Sequence, residues 1–427
     1  MSKNYYFISD LHIGGDGPLN ECEIEEELIG FLKKLEKEKN AELIIVGDTF
    51  GFWELTTLKG IEKLNYILNT HKKLFNQFKK TGSKIKIIII PGNHDHELVC
   101  DAKFGKILSK YNIILEPKQY IIKKIGNNKI WIEHGNQYDE YTAFKPFGNK
   151  YFKPPGYYAT TKVLANLRKS SDIAKHPWLR YIESVSPDEM LPHWVFSNYF
   201  YREMSPLLRY LALPFLLLFT ISFFVLITLV LQEIGVFGIN FSISQQISKF
   251  GLFGKFIWAI IVVDIFLIFI LFLIAIPLFL LFKDIKKTLK RYGIIGNGAL
   301  KRFKETQFEN AAKKIFRQNK DVLIYIYGHT HIPNIKFLNK KVVINTGTWL
   351  KRLRRIPNRF RELPDVYYPS FQLNYFKIFK EKKKIVIEYH KIPKKFKLAL
   401  TPLQRFLILM RKKIKDPDIP KVTYIDV

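Results

Sequence analysis

Apolar residues along the first hundred positions follow two alternating rhythms. Asn4–Ser9 and Glu42–Val46 are short, almost continuously apolar runs, as buried strands are. Between them, Glu21–Lys39 carries Ile24, Leu28, Phe31, Leu32 and Leu35 at helical spacing, with charges elsewhere. Gly60–Lys80 is a second helical stretch, and Lys84–Ile90 a third strand. This strand–helix–strand order predicts an α/β sheet of largely parallel strands. A β-rich portion follows. Gln119–Lys124 and Lys129–Glu133 flank Gly126-Asn127-Asn128, a hairpin signal. Late in the chain Val322–Tyr327, Ile335–Leu338 and Val342–Asn345 have the same strand character. Phe376–Phe379 and Ile385–Tyr389 form another hairpin pattern around Lys382-Lys383.

The middle breaks both rhythms. Tyr210–Leu231 is 22 residues without a charge, and Phe256–Phe282 is 27 residues with only Asp264. At about 1.5 Å of rise per residue, each is long enough to cross a hydrocarbon core roughly 30 Å thick. Gln232–Lys255, between them, holds few charges, whereas Arg202 and Arg209 precede the pair and Lys283, Lys286, Lys287, Lys290 and Arg291 follow it. The positive-inside rule puts both outer flanks, and so both ends of the chain, in the cytoplasm. The expected location is the cell membrane, with two spans. Asp264 inside a span is costly and calls for a partner or a function. The aromatic-rich stretch Tyr138–Tyr201, with Trp178 and Trp194, fits a membrane interface and an ordinary hydrophobic subdomain equally well.

Composition adds limits. The formal charge of +30 suits nucleic acid, an anionic membrane surface, or plain lysine usage on solvated faces, and alone it decides nothing. Two cysteines, Cys22 and Cys100, exclude a disulfide framework and fit a reducing compartment as packing residues. The first apolar run leads directly to Asp10, far short of a signal-peptide core.

Candidate chemistry sits where the strands end. Asp10-Leu11-His12 follows the first, Gly47-Asp48 the second and Gly92-Asn93-His94-Asp95 the third. His134-Gly135 follows the hairpin strand, and Gly328-His329-Thr330-His331 follows Tyr327. Carboxylate, imidazole and amide oxygen are what two divalent ions about 3.5–4 Å apart need, and such a pair neutralises a phosphoryl group and activates water. His71, His176, His193 and His390 lie outside any ligand-spaced cluster, and the position of His96 suggests support or surface.

These five blocks, in this order, resemble the calcineurin-like metallophosphoesterase superfamily over about residues 4–140 and 300–390. The resemblance implies an α/β/β/α sandwich of two mixed sheets, here with an inserted transmembrane helical hairpin. It implies that Asp10, His12 and His331 hold one metal, that Asn93, His134 and His329 hold a second, and that Asp48 bridges them. The attacking group would be a metal-bound hydroxide. His94 would stand above the phosphate with Asp95 orienting its ring. On family grounds the metals would be manganese, though iron, zinc and cobalt suit the same donors.

Gly47–Trp53 and the His134-Gly135 loop are also similar to UDP-2,3-diacylglucosamine pyrophosphohydrolases, which cut the diphosphate of a nucleotide-linked lipid. This chain departs from them at His94, where they carry arginine, and in its long hairpin. The expected domains are a discontinuous catalytic unit (1–140 and 300–395), an aromatic-rich helical insert (141–206), the hairpin (207–285) and a basic tail (396–427). The leading expectation is a membrane-anchored phosphohydrolase whose phosphate-containing substrate is lipid-linked or nucleotide-linked. A nuclease or nucleotide phosphodiesterase comes second, with nucleic acid as partner. A non-catalytic scaffold would lack donors, and none is missing.

Overall fold

The computed structural model describes residues 3–14, 22–164, 184–185, 191–236, 243–291, 306–357, 363–394, 400–409 and 418–426. Trp178 and His176 lie outside them. The strands are β1 (Asn4–Ile8), β2 (Ala41–Val46), β3 (Lys86–Ile90), β4 (Ile113–Leu115), β5 (Tyr120–Ile125), β6 (Asn128–Glu133) and β7 (Val322–Tyr327). The rest are β8 (Asn334–Leu338), β9 (Lys341–Asn345), β10 (Lys351–Ile356), β11 (Val366–Phe371), β12 (Asn374–Glu381), β13 (Lys384–Lys391) and β14 (Val422–Asp426).

Two mixed sheets carry the fold. One has the order β14-β13-β12-β1-β2-β3-β4 and the other β5-β6-β7-β9-β8, with β10-β11 a separate ribbon. β1 to β4 run parallel, as do β6, β7 and β9, while β12 lies antiparallel to β1. Strand side chains alternate between faces, so each strand feeds two cores. Phe7, Ile44, Val46, Ile88 and Ile90 meet Ile130, Ile132, Ile324, Ile326 and Ile344 between the sheets. Their neighbours Ile8, Leu43, Ile45 and Ile89 face the other way, onto helical residues such as Leu28, Leu32, Leu64 and Phe75. Helix Thr306–Gln318 covers the outer face of the second sheet through Phe308, Ala312 and Ile315. Helix, sheet, sheet and helix layers result, as the resemblance implied.

Local details refine the expected elements. The Gly60–Lys80 stretch is two helices, Ile61–Thr70 and Lys72–Gly82, broken at His71. The buried His71 imidazole is 2.8 Å from a Glu25 carboxylate oxygen, so its role is to join helices. The 396–427 segment is more than a tail. It supplies helix Pro402–Leu409 and β14, which pairs with β13 and becomes the edge of the larger sheet.

Helices Pro206–Glu233 and Gly251–Arg291 pack on each other and are long and apolar enough to cross a membrane. Only 11% and 17% of their most apolar windows are buried, whereas a core helix would be covered nearly all round. Their one buried acid, Asp264, accepts a hydrogen bond from Ser222 Oγ at 2.9 Å across the pair.

Candidate metal centre

The proposed donors leave the C-terminal ends of five parallel strands, where the chain turns sharply. Asp10, His12, Asp48, His329 and His331 all have positive φ, between 43° and 68°. Each such residue costs about 1–2 kcal/mol, and backbone strain of this kind concentrates at functional sites. A backbone network holds it in place. Asp10 N donates to Gly47 O at 3.1 Å, His12 N to Asp48 O at 3.0 Å, and Gly328 N to His134 O at 3.0 Å. Two glycines leave room for the carboxylates. A Cβ on Gly328 would come 2.7 Å from Asp10 Oδ2, and one on Gly92 would overlap the Asp48 carboxylate.

The donors gather in two groups that meet at Asp48. In the first, His331 Nε2 is 3.1 Å from Asp10 Oδ1, and the His12 and His331 rings stand perpendicular with centroids 5.5 Å apart. In the second, His134 Nε2 lies 3.2 Å from both Asp48 Oδ2 and Asn93 Oδ1, with His329 beside it. Asp48 Oδ2 is also 3.6 Å from His12 Nε2, so this single oxygen faces both groups. Asp48 Oδ1 is occupied, accepting from His94 N at 2.8 Å.

These residues fit divalent metals. Among the described residues, Asp10 Oδ1 and His12 Nε2 are buried without a hydrogen-bond partner, an arrangement that costs energy unless a cation meets them. His134 Nδ1 is engaged by Val46 O at 2.8 Å, which fixes the tautomer that leaves Nε2 with its lone pair. Asp10 accepts from Ser9 Oγ, and Ser9 Oγ accepts from Thr346 Oγ1 at 2.7 Å. The charges agree. Although burial opposes it, the His134, His94 and His12 imidazoles hold the Asp48 carboxyl well below its usual range. Burial likewise works against protonation of His134, yet Asp48 and Asp10 raise it to about 10. In the metal-free chain, then, imidazolium supplies the positive charge that a metal would bring, and metal uptake displaces protons.

His94 stands at the edge of the centre, its ring 4.3 Å from that of His12 and 4.3 Å from that of Trp53. The expectation that Asp95 orients it does not hold. Asp95 is wholly buried and accepts from the backbone N–H groups of Gly92 and Thr49 (both 2.7 Å) and Phe50 (3.2 Å), pinning two loops together. The carboxylate on the imidazole is Glu54, whose Oε1 lies 2.8 Å from His94 Nδ1 and 3.5 Å from His12 Nδ1. Burial alone would lower His94, but Glu54 and Asp48 raise it to about 9.

Sequence reasoning passed over Glu54, Asp139 and Thr142. Glu54 is the lone charge in Phe50–Leu55, an unusual place for a carboxylate without a task. Asp139 Oδ2 and Thr142 Oγ1 reach His329 Nε2 at 3.1 and 3.2 Å. His96 is buried, stacks on Phe144 with centroids 3.6 Å apart, and accepts from Gly148 N at 3.1 Å. Burial and then Lys153 push it down to about 4, so it stays neutral and ties the insert to the sandwich.

Residues 4–207 match the family model for calcineurin-like phosphoesterases. No curated protein matches the chain. Among solved structures, a dimetal phosphatase from Danio rerio is similar at 10% identity and a TM-score of 0.35, covering 91% of this chain and 95% of that one. A conserved uncharacterized protein from Streptococcus pneumoniae, a predicted phosphoesterase, is similar at 8% identity and a TM-score of 0.29, covering 92% and 90%. Vps29 complexed with zinc from Entamoeba histolytica is similar at 12% identity and a TM-score of 0.28, covering 91% and 92%. Likeness this low says nothing of activity. Residues 4–207, just under half of the chain, are similar to the calcineurin-like phosphoesterases, and the donors at the strand ends agree with that match: the chain is a metal-dependent phosphoesterase.

Proposed function

We propose that this phosphoesterase is anchored in the cell membrane, with its catalytic sandwich on the cytoplasmic side, and cleaves a phosphoester or diphosphate of a lipid-linked or nucleotide-linked substrate. One observation carries the membrane part of the reading. The segment that leads to the apolar helices starts at the metal centre itself, where Asp139 and Thr142 touch His329. A centre joined in this way to spanning helices suits a substrate held at a bilayer.

In this reading Asp10, His12 and His331 would hold one ion, Asn93, His134 and His329 would hold the other, and Asp48 would serve both. When bound, the metals neutralise the phosphoryl oxygens and lower the pKa of water so that it can attack. Manganese is the proposed pair, with iron, zinc or cobalt fitting the same nitrogen and oxygen donors. His94 acts from the chain's own side. Glu54 holds its Nδ1 and keeps the ring protonated at neutral pH, leaving Nε2 to steady charge on the phosphate or pass a proton to the leaving oxygen.

The test is parallel assay of purified protein, loaded with manganese, on a nucleotide-diphosphate lipid, a lipid phosphate and single-stranded DNA. A second protein, with residues 217–282 replaced by a short flexible linker, separates anchoring from chemistry. It should keep its rate on a small soluble phosphodiester and lose most activity on lipid in vesicles, because the local concentration gained by anchoring is gone. Equal loss on both substrates would make the hairpin structural. Cysteine reporters near Ser244 and Val427 test the topology, since an impermeant reagent on intact cells should label only the first.

The nuclease reading is favoured by the +30 charge and by the basic run Lys351-Arg352-Leu353-Arg354-Arg355 in β10, of which Arg352 donates to His331 O at 2.7 Å. DNA cleavage that outpaces lipid hydrolysis and falls steeply with salt would put it first.

A further inference from the structure

The base of the first apolar helix is ringed by three segments that are far apart in sequence. Phe200 and Tyr201, Leu363 and Val366, and Leu407 form one buried cluster, against which Leu213 and Leu216 of helix Pro206–Glu233 also pack. Arg209, buried in the first turns of that helix, donates to Phe200 O at 2.7 Å and Met204 O at 2.6 Å, closing the helical turn before it. Ser197 Oγ donates to Asp365 O and Tyr201 Oη to Pro364 O, both at 2.6 Å. The collar is therefore fastened to the edge of the β10–β11 ribbon. From the same ribbon Arg352 reaches the backbone carbonyl of His331.

The outer side of this collar is aromatic and uncovered. Phe196, Tyr199 and Phe406 are 59%, 45% and 56% exposed, beside the exposed Leu207, Leu208 and Leu211 of the helix itself. In helix Pro402–Leu409, Leu407 and Gln404 face inward while Arg405 and Phe406 face out. By sequence this helix is bracketed by Lys395, Lys397, Arg411, Lys412, Lys413 and Lys415. Aromatic side chains at the foot of an apolar helix mark the level of lipid headgroups. A short helix with one apolar face and basic flanks lies in that zone and draws anionic lipid.

We propose that this collar, and helix Pro402–Leu409 in particular, is a membrane-surface seat. Phe196, Tyr199 and Phe406 enter the headgroup zone, Arg405 meets anionic headgroups, and the β10–β11 ribbon holds the metal centre at a set height above the bilayer. The proposal rests on the membrane anchoring proposed above. Continuity with the apolar helix and the surrounding positive charge select the lipid surface as occupant.

The test uses the full chain in nanodiscs containing phosphatidylserine, with Cys22 and Cys100 replaced by serine. A fluorophore is attached at Phe406→Cys, at Phe224→Cys within the apolar helix, or at Tyr424→Cys on β14. Nitroxide-labelled lipids then report depth, and hydrolysis of a soluble phosphodiester confirms that each variant is folded. Shallow nitroxides should quench the label at 406, deep ones the label at 224, and neither the label at 424. Exchange of phosphatidylserine for phosphatidylcholine, or Arg405→Glu, should remove most of the shallow quenching. A label at 406 quenched no more than that at 424, with the label at 224 still quenched, would overturn the seat while the anchor stands. No quenching at 224 would overturn the anchor, and the seat with it. Quenching at 406 that ignores lipid charge and Arg405 would overturn the role given to anionic headgroups.

Discussion

The sandwich and the helical hairpin draw on the same apolar residues and use them in opposite ways. Ile8, Ile44, Val46 and Ile90 disappear between strands and helices, while Phe224, Phe272 and Phe282 point outward along the hairpin. Each region also buries an aspartate. Asp48 faces the imidazoles of His12 and His134 and accepts a backbone N–H. Asp264 has one hydroxyl, Ser222, and its second oxygen has no hydrogen-bond partner among the described residues. The first is surrounded by groups that can exchange places with a cation. The second is held by a single bond between two helices, as polar residues in apolar bundles are. Burial of a carboxylate thus signals a reaction centre only when several mobile charges surround it.

The largest effect expected from testing this contrast is at Asp48. Asp48→Asn should abolish hydrolysis and weaken metal retention beyond the ~10–100-fold that changes around a ligand cost, because a neutral amide oxygen cannot serve two ions. Near-normal turnover with full metal occupancy would remove the two-ion assignment. His94→Ala should slow turnover by ~10²-fold or more with metal content unchanged. Metal analysis beside kinetics decides this, since metal lost in step with activity would make His94 a ligand. Glu54→Gln should cost ~10-fold or more in turnover, mainly through a His94 that is no longer held charged. Its pH profile should shift with it. The carboxylate raises the ring to about 9, so protonation is lost on going to higher pH in the parent and at lower pH in the variant. An unmoved alkaline limb would separate Glu54 from His94. The smallest effect is at the other aspartate: Ser222→Ala should cost ~0.6 kcal/mol in hairpin stability, read by thermal unfolding in detergent, and leave soluble-substrate kinetics alone. A loss of hydrolysis there would mean that the two regions are coupled.

Much of the centre was legible because its chemistry is written locally. A strand-like run followed at once by a short block with Asp, His or Asn places each donor at a strand end, and all seven proposed donors lie together. What was not legible depended on contacts between distant segments. Glu54 belongs to His94 only because the loops after β2 and β3 fold side by side. The resemblance made Asp95 its partner, whereas backbone N–H groups from both loops claim its carboxylate. β14 was hidden in a lysine-rich segment because an edge strand needs only alternate buried residues, here the polar Thr423 and the apolar Ile425. The collar was legible only as the aromatic-rich stretch ending at Tyr201, since its three parts meet only around the base of a helix.

The parallel pairing of β6 with β7 has a consequence in time. β6 ends at Glu133 and β7 begins at Val322, so 188 residues, including both apolar helices, are made between them. At the ~5–20 residues per second of synthesis, β6 waits on the order of ten seconds or more for its neighbour. Both apolar helices are synthesised before His329 and His331 exist. Under the anchoring proposed above, delivery to the bilayer would precede closure of the second sheet, and metal loading would come last. Nascent chains stalled before residue 322 should already be membrane-bound, and only chains released well past His331 should retain metal.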